Sequence, residues 1–144
     1  MPTRGKFEGK HSELTGKILG AFFQVHKELG YGFSEKVYEK ALTILLSEIG
    51  LKVETQVHLC VYFHEQKVRD YIADMVVNDV VLLELKAVER IVEEHAAQLL
   101  NYLKAANIEV GLILNFGPIA EFRRKIYDNE RKGSLSWINQ PSFP

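Results

Sequence analysis

Residues 70–87 have the sequence DYIADMVVNDVVLLELKA, and the fold is decided in this stretch. Two runs rich in Val, Leu and Ile flank the turn pair Asn78-Asp79, a pattern that predicts a β-hairpin. Both runs are apolar nearly throughout, whereas a strand with one solvent-exposed face would alternate apolar and polar residues. We therefore expect the hairpin at the centre of a sheet that is covered on both faces.

Three ionisable side chains interrupt this apolar hairpin: Asp74, Glu84 and Lys86. A charge in a buried strand destabilises the fold unless it is paired, hydrogen-bonded or bound to a metal. Glu84 and Lys86 are two residues apart, so they point to the same face of the sheet. A turn of about two residues would set Asp74 opposite Leu83, whereas one residue more would set it opposite Glu84. We expect the longer turn.

Two carboxylates on neighbouring strands form a site for a hard divalent cation, since Mg²⁺ is usually held by one or two carboxylates with water and phosphate. A neighbouring ammonium can orient a water or stabilise negative charge on a transferring phosphoryl group. The alternative is an ordinary ion pair between Glu84 and Lys86, with Asp74 solvated near the turn. Asp70 is a rival to Asp74 for the first acidic position. The hairpin alone leaves these alternatives open.

Length and composition limit the class of protein. The chain has 144 residues, 47% of them apolar, and a formal net charge of −1, which is typical of one globular domain. No apolar run approaches the roughly 18 residues of a membrane span, and the N-terminus lacks the apolar segment of a secretory signal. We expect a cytoplasmic protein without membrane contact, whose single cysteine, Cys60, is a buried apolar residue. Neither a P-loop nor a G-x-S-x-G motif is present in the sequence.

Hydrophobic spacing predicts the elements on the N-terminal side of the hairpin. Apolar residues recur at three- and four-residue steps in two segments, from Ser12 to Gly30 and from Ser34 to Gly50, and both are predicted to be helices capped by Ser or Thr. A strand rich in β-branched and aromatic residues follows from Val53 to Phe63. His26 lies one helical turn after Phe22 and is either an ordinary helix-face residue or the edge of a site.

The C-terminal half predicts a βαβ unit. A helix over residues 91–106 and a strand over 110–116 follow the hairpin, and residues 121–127 are expected to form a further strand, with a short helix as the alternative. His95, Gln98 and Tyr102 share one edge of the predicted helix. Arg123, Arg124 and Lys125 belong to a dense basic cluster, where contact with a phosphate backbone is expected.

Separate motifs in this chain resemble one family of nucleases. Asp74 followed by Glu84-Leu85-Lys86 resembles the D…ExK signature of the PD-(D/E)XK nuclease superfamily. Gly32, Glu35 and Tyr38 match the G-x-x-E-x-x-Y pattern of the GxxExxY family, which is grouped with that superfamily. These two motifs and the one that follows occur in the expected order, and the match extends over about residues 12–127.

The third motif lies on the predicted crossover helix. Gln98 and Tyr102 are similar to the Q-x-x-x-Y motif of RecB-type members, in which the Gln supports the site and the Tyr contacts the nucleic-acid backbone or packs under it. The chain departs from the family at Ile72, where an Arg is usual two residues before the site Asp. This departure puts one phosphate or carboxylate contact in doubt and leaves the metal ligands intact. His26 and His95 are possible edge residues of the site.

The resemblance implies a restriction-endonuclease-like α/β fold, with a mixed central sheet of about four or five strands flanked by helices. It implies a flexible tail over residues 1–11, a nuclease-like domain over 12–132 and a second tail over 133–144. The implied activity is metal-dependent hydrolysis of phosphodiester bonds in nucleic acid, with DNA favoured, and a homodimer would be needed to cut both strands. The alternatives are a catalytically silent nucleic-acid-binding module and a protein-interaction domain.

The resemblance also implies a role for each candidate side chain. Asp74, Glu84 and the carbonyl of Leu85 are expected to bind Mg²⁺ or Mn²⁺. Lys86 is expected to position the attacking water, and Glu35 to contact a second metal or a metal-bound water. Gln98 is expected to support the geometry of the site.

Overall fold

The computed structural model describes residues 9–134, which form five strands and three α-helices. The elements are α1 (Ser12–Leu29), α2 (Glu35–Glu48), β1 (Val53–Phe63), β2 (Gln66–Val77), β3 (Val81–Lys86), α3 (Glu93–Lys104), β4 (Val110–Phe116) and β5 (Ala120–Ile126), followed by a 3-10 turn at Asn129–Arg131. Most of both predicted tails lies outside the described residues, and the domain boundaries stay a prediction.

The five strands form one mixed sheet in the order β1-β2-β3-β4-β5. The β3 and β4 strands are parallel, while every other neighbouring pair is antiparallel. The α3 helix connects the two parallel strands, so the predicted βαβ unit is confirmed. Residues 121–127 lie in or beside β5, so the prediction of a strand is confirmed there and the alternative of a helix is wrong.

The two faces of the sheet are covered by different helices. The α1 and α2 helices pack with Met75, Leu83 and Leu85 in one apolar core, while α3 packs with Leu82 and Ile113 in the other. Strand β4 is buried along its whole length, and β3 is buried from Val81 to Leu85. The prediction of a hairpin strand covered on both faces is therefore confirmed for β3.

Helix ends differ from the prediction by a few residues. The α3 helix begins at Glu93 rather than at Ile91, because Val92 has an extended backbone, with φ −118° and ψ 170°. The Ser34 side chain makes no capping hydrogen bond, although Ser34 is the residue preceding α2. Among residues 9–134, no helix is long and apolar enough to cross a bilayer.

Candidate active site

The hairpin turn sets the register of the two acidic residues. Asn78 and Asp79 both have positive φ, at 51° and 64°, and Val80 completes the connection. The pairs Val77–Val81 and Met75–Leu83 lie in one antiparallel register. One further step along that register sets Asp74 opposite Glu84, so the prediction of the longer turn is confirmed.

Strands β2 and β3 separate just beyond these pairs. The β2–β3 pairing ends at Met75–Leu83, after which β2 continues alongside β1 and β3 continues alongside β4 as far as Lys86. We call this point the fork and define it by Asp74 on β2 and Glu84 on β3. It lies near the middle of the sheet, where a gap between strands exposes backbone groups that need hydrogen-bond partners.

The two carboxylates supply those partners. The Asp74 backbone N–H donates to Oε2 of Glu84 at 3.0 Å, and the Leu85 backbone N–H donates to Oδ2 of Asp74 at 2.7 Å. Each carboxylate therefore accepts a hydrogen bond from the opposite strand. These reciprocal contacts fix both side chains across the fork, because each side chain is held by backbone rather than by another mobile side chain.

The electrostatics of the fork are dominated by two neighbouring acidic groups, of which Glu84 is buried and Asp74 is half-buried. Glu84 is only 5% exposed, and burial followed by the charge of Asp74 raises its pKa to about 8. Burial also raises the pKa of Asp74; the Leu85 N–H acts against this shift, and the charge of Glu35 adds to it. The Lys86 ammonium lowers both pKa values without cancelling the increase. The carboxylates thus need a further positive charge to ionise together near neutral pH.

The donor set fits a hard divalent cation. No group of three or more His, Cys, Asp or Glu side chains within residues 9–134 is arranged to hold a metal ion. Two carboxylates are nevertheless sufficient for Mg²⁺, which retains several waters and takes the rest of its ligands from substrate phosphate. A cation between Asp74 and Glu84 would also remove the repulsion that raises their pKa values.

Lys86 lies two residues after Glu84 on β3 and is half-buried. Side chains two apart on a strand share a face, so the ammonium lies on the same side of the sheet as the Glu84 carboxylate. Within the described residues no ion pair as short as 4.0 Å joins Lys86 to Glu84. The alternative of a simple buried pair, with Asp74 in solvent, therefore does not describe this site.

Glu35 is the first residue of α2 and lies beside the fork. It lines an open cavity of about 610 Å³ together with Asp74, Glu39 and Gln56. The charge of Glu35 raises the pKa of Asp74 and that of Glu84, so Glu35 shares the electrostatic field of both. Gln56 and Glu39 could not be identified from the sequence, because neither belongs to a motif.

Tyr38 shapes the loop that carries Glu35 into the cavity. Its hydroxyl donates to the Gly30 carbonyl at 2.6 Å and accepts the Phe33 N–H at 3.2 Å. Its ring stacks on Phe116 at 4.4 Å, with an 8° angle between the planes. Gly32 has a φ of 120°, a conformation that favours glycine. The G-x-x-E-x-x-Y spacing therefore fixes a tight loop and directs the start of α2 toward the fork.

Gln98 and Tyr102 lie on the other side of the fork, on α3. Tyr102 is buried, and burial followed by the charges of Glu84 and Asp74 raises its pKa. Gln98 is exposed, and it makes no side-chain hydrogen bond to any residue in 9–134. Support of the fork by Gln98 therefore stays a prediction.

The two candidate edge histidines both have contacts within the fold. The Nε2 atom of His26 lies 2.8 Å from the Gly117 carbonyl and joins α1 to the turn after β4. The Nδ1 atom of His95 accepts the Val92 N–H at 3.1 Å and caps the start of α3. Each contact stabilises the fold itself and involves no substrate.

The predicted basic cluster lies on β5, which β3 and β4 separate from β2. Arg123 is 3.4 Å from the Glu93 carboxylate, and Arg124 donates a hydrogen bond to the Lys10 carbonyl. Lys125 is half-buried on the same strand. Contact between these side chains and nucleic acid stays a prediction, since the two arginines already have partners within the chain.

Asp70 and Cys60 lie together on the arm formed by β1 and the outer part of β2. Asp70 is 3.0 Å from Nδ1 of His58, and the Cys60 thiol lies 3.5 Å from the same carboxylate. The structure therefore places Asp70 away from the fork. Cys60 is half-buried beside a charged group, so the expectation of a buried apolar residue is wrong.

Asn115 is a residue that sequence reasoning missed. It is fully buried on β4, where its side chain accepts the Val88 N–H at 3.0 Å and donates to the Val88 carbonyl at 3.0 Å. The amide thus continues the β3–β4 ladder past Lys86 and holds the chain in place there. The sequence signal for it is an amide near the end of the apolar strand over residues 110–116.

Comparison with protein families gives the class of this chain. The family model for the PD-(D/E)XK nuclease superfamily matches residues 12–126, and the chain belongs to that superfamily. The mixed five-stranded sheet with flanking helices is accordingly the restriction-endonuclease-like fold. A search of curated proteins and a search of solved structures each gave no match.

Proposed function

We propose that this chain is a divalent-metal-dependent nuclease of the GxxExxY group, which hydrolyses phosphodiester bonds of nucleic acid, with DNA favoured. The observation that carries the proposal is the fork: two carboxylates from separate strands face each other across it, and a lysine lies on the same face of β3. Buried acidic groups with raised pKa values are costly for stability, which favours a functional reason for them.

Asp74 and Glu84 would hold Mg²⁺ or Mn²⁺, with the Leu85 carbonyl as a further ligand. When bound, the cation would supply a Lewis acid that polarises the phosphate and activates a water. Glu35, from the opposite wall of the cavity, would hold a second ion or one of its waters. The open cavity of about 610 Å³ gives a phosphate and its waters access to Asp74.

Lys86 would position the attacking water and stabilise the charge that develops on the phosphate oxygens. An ammonium donates hydrogen bonds and has no lone pair to accept one, so its role is electrostatic rather than that of a base. Asn115 would keep Lys86 in register by holding the adjoining backbone at Val88. Gln98 would support the same geometry from α3.

A cleavage assay with Mg²⁺ or Mn²⁺ on single-stranded, duplex and branched DNA, and on RNA, tests this proposal. The wild-type chain should cut at least one substrate, and Glu84→Gln should lower the rate by more than about 100-fold. Glu89→Gln is the matched control, because Glu89 is exposed just beyond β3. Absence of cleavage by the wild type on every substrate would contradict the proposal.

The two alternatives give different results. A silent binding module would bind nucleic acid, with affinity falling steeply as salt rises, and would not cut it. A protein-interaction domain would show neither behaviour. A nuclease that cuts both strands of a duplex would need a second copy of the chain, which sedimentation in the presence of duplex DNA would detect.

A further inference from the structure

A second groove lies between the β1–β2 arm and α3. Five of its side chains define it, and we call it the arm groove: Arg69 and Tyr71 on β2, and Gln98, Asn101 and Tyr102 on α3. Its volume is about 460 Å³, which is within the range of small-molecule sites. It differs from the cavity of about 610 Å³, which Glu35 and Asp74 line.

Three planar groups in a row, with the two tyrosine rings tilted against each other, line one part of the arm groove. The central guanidinium carbon of Arg69 lies 4.8 Å from the centre of the Tyr71 ring. The Tyr71 ring centre lies 5.3 Å from that of Tyr102, with 50° between the planes. Both tyrosines pack against the α3 core, whereas Arg69 is exposed. The outer guanidinium face is therefore a planar cationic surface on a fixed aromatic base.

Two amide side chains of α3 also line the arm groove. Gln98 and Asn101 are one helical turn apart and both are exposed. Among residues 9–134, neither makes a side-chain hydrogen bond, so their donors and acceptors face solvent. Glu94 also lines the groove and adds a carboxylate acceptor. This combination suits a nucleobase, which presents a flat face and an edge of donors and acceptors.

The arm groove opens next to the fork. Tyr102 packs in the same core as Leu82, and Glu84 lies two residues after Leu82 on the same face of β3. The charges of Glu84 and Asp74 act on the Tyr102 hydroxyl, as expected for neighbouring groups. A strand whose phosphate lies at the fork could thus extend an adjacent nucleotide into the arm groove.

We propose that the arm groove binds one unstacked nucleotide of a single-stranded nucleic acid, with its base on the Arg69 guanidinium and its edge toward Gln98 and Asn101. This inference rests on the proposed function and names its substrate class. A base inside a duplex has both faces covered by its neighbours, so only a single strand or an unpaired end offers a face for stacking. Such stacking is tolerant of sequence, because every base has a π face.

Binding without cleavage tests the arm groove separately from catalysis. Fluorescence anisotropy in EDTA would compare a labelled single strand of about 12 nucleotides with the same strand in a duplex. The wild type should bind the single strand more tightly, and Arg69→Ala should weaken that binding about tenfold while leaving duplex binding within about twofold. Arg69→Lys should lose nearly as much, because an ammonium keeps the charge and loses the planar surface.

The chain offers a matched control in Arg131, whose guanidinium carbon lies 4.4 Å from the centre of the Tyr127 ring. Arg131→Ala removes the same type of pair elsewhere, within the basic cluster, and any loss of binding should be equal for the single strand and the duplex. Circular dichroism of each variant would verify that the fold is intact. Gln98→Ala, on the exposed face of α3, provides a second variant that removes no core side chain.

Each outcome decides a different statement. The arm groove would be overturned as a base site if Arg69→Ala lost the same affinity for the single strand and for the duplex. It would also be overturned if Arg69→Lys bound the single strand as tightly as the wild type. Both results would leave the proposed nuclease intact. Failure of the wild type to bind the single strand would overturn the arm groove, and the cleavage assay with Mg²⁺ or Mn²⁺ would still decide the nuclease separately. Tight single-strand binding that depends on Arg69, without cleavage in Mn²⁺, would support the groove and contradict only the nuclease.

Discussion

The buried carboxyl of Glu84 makes the stability of the metal-free protein depend on pH. Its pKa is raised from 4.5 to about 8 in the folded chain, by burial first and by the charge of Asp74 second. Below about pH 4.5 the group is neutral in both the folded and the unfolded state. Between these two values the unfolded chain ionises while the folded chain retains its proton. The free energy of unfolding should therefore fall as pH rises through this window.

The size of the effect follows from the two pKa values. Each unit of difference corresponds to about 1.4 kcal/mol, so the full shift corresponds to about 5 kcal/mol and is an upper limit for this group. Glu84→Gln keeps an acceptor for the Asp74 N–H and removes the titration. We expect the variant to gain about 3–5 kcal/mol over the wild type between pH 5 and pH 9.

Urea denaturation in EDTA at a series of pH values measures this gain directly. Glu89→Gln, at an exposed position, is the control and should stay parallel to the wild type. Addition of Mg²⁺ at high pH should restore stability to the wild type and have little effect on Glu84→Gln, because a ligand that binds only the folded state stabilises it. A difference between the two proteins that stays constant from pH 5 to pH 9 would refute the reasoning.

Two further substitutions test the supports of the site. Tyr38→Phe removes the hydroxyl that joins the Gly30 carbonyl to the Phe33 N–H, so it should lower the free energy of unfolding by about 1–3 kcal/mol. It should also lower the cleavage rate, because the start of α2 is misplaced. Urea denaturation measures the first effect and kcat measures the second. Asn115→Ala removes the partner of the half-buried Val88 N–H and carbonyl, so it should lower the free energy of unfolding by about 2–4 kcal/mol in urea denaturation. An unchanged midpoint would refute the supporting role.

Much of the fold could be predicted from the sequence because its signals are local. The apolar runs on either side of Asn78-Asp79 indicate a hairpin, and the three- and four-residue spacing indicates the helices. The predicted strand from Val110 to Phe116 agrees with β4 at both ends. Turn length also determines the register of a hairpin. A turn of three residues rather than two was therefore sufficient to predict that Asp74 lies opposite Glu84.

The fork itself could not be predicted, because it depends on which partner each strand takes. β2 pairs with β3 only from Met75 to Val77. The rest of β2 pairs with β1 alone, while β3 continues alongside β4, and these partners are distant in sequence. The role of Asn115 depends on the same long-range pairing. The surroundings of Cys60 were missed for a similar reason, since Asp70 reaches it only through the cross-strand register.

The central claim is that Asp74 and Glu84 together bind a divalent cation. A crystal soaked in Mn²⁺ and measured at a wavelength where manganese scatters anomalously tests it most directly. We predict a peak between the two carboxylates, at about 2.0–2.3 Å from an oxygen of each, that is lost in Glu84→Gln. A saturated soak without a peak there, or with its strongest peak away from both side chains, would contradict the account.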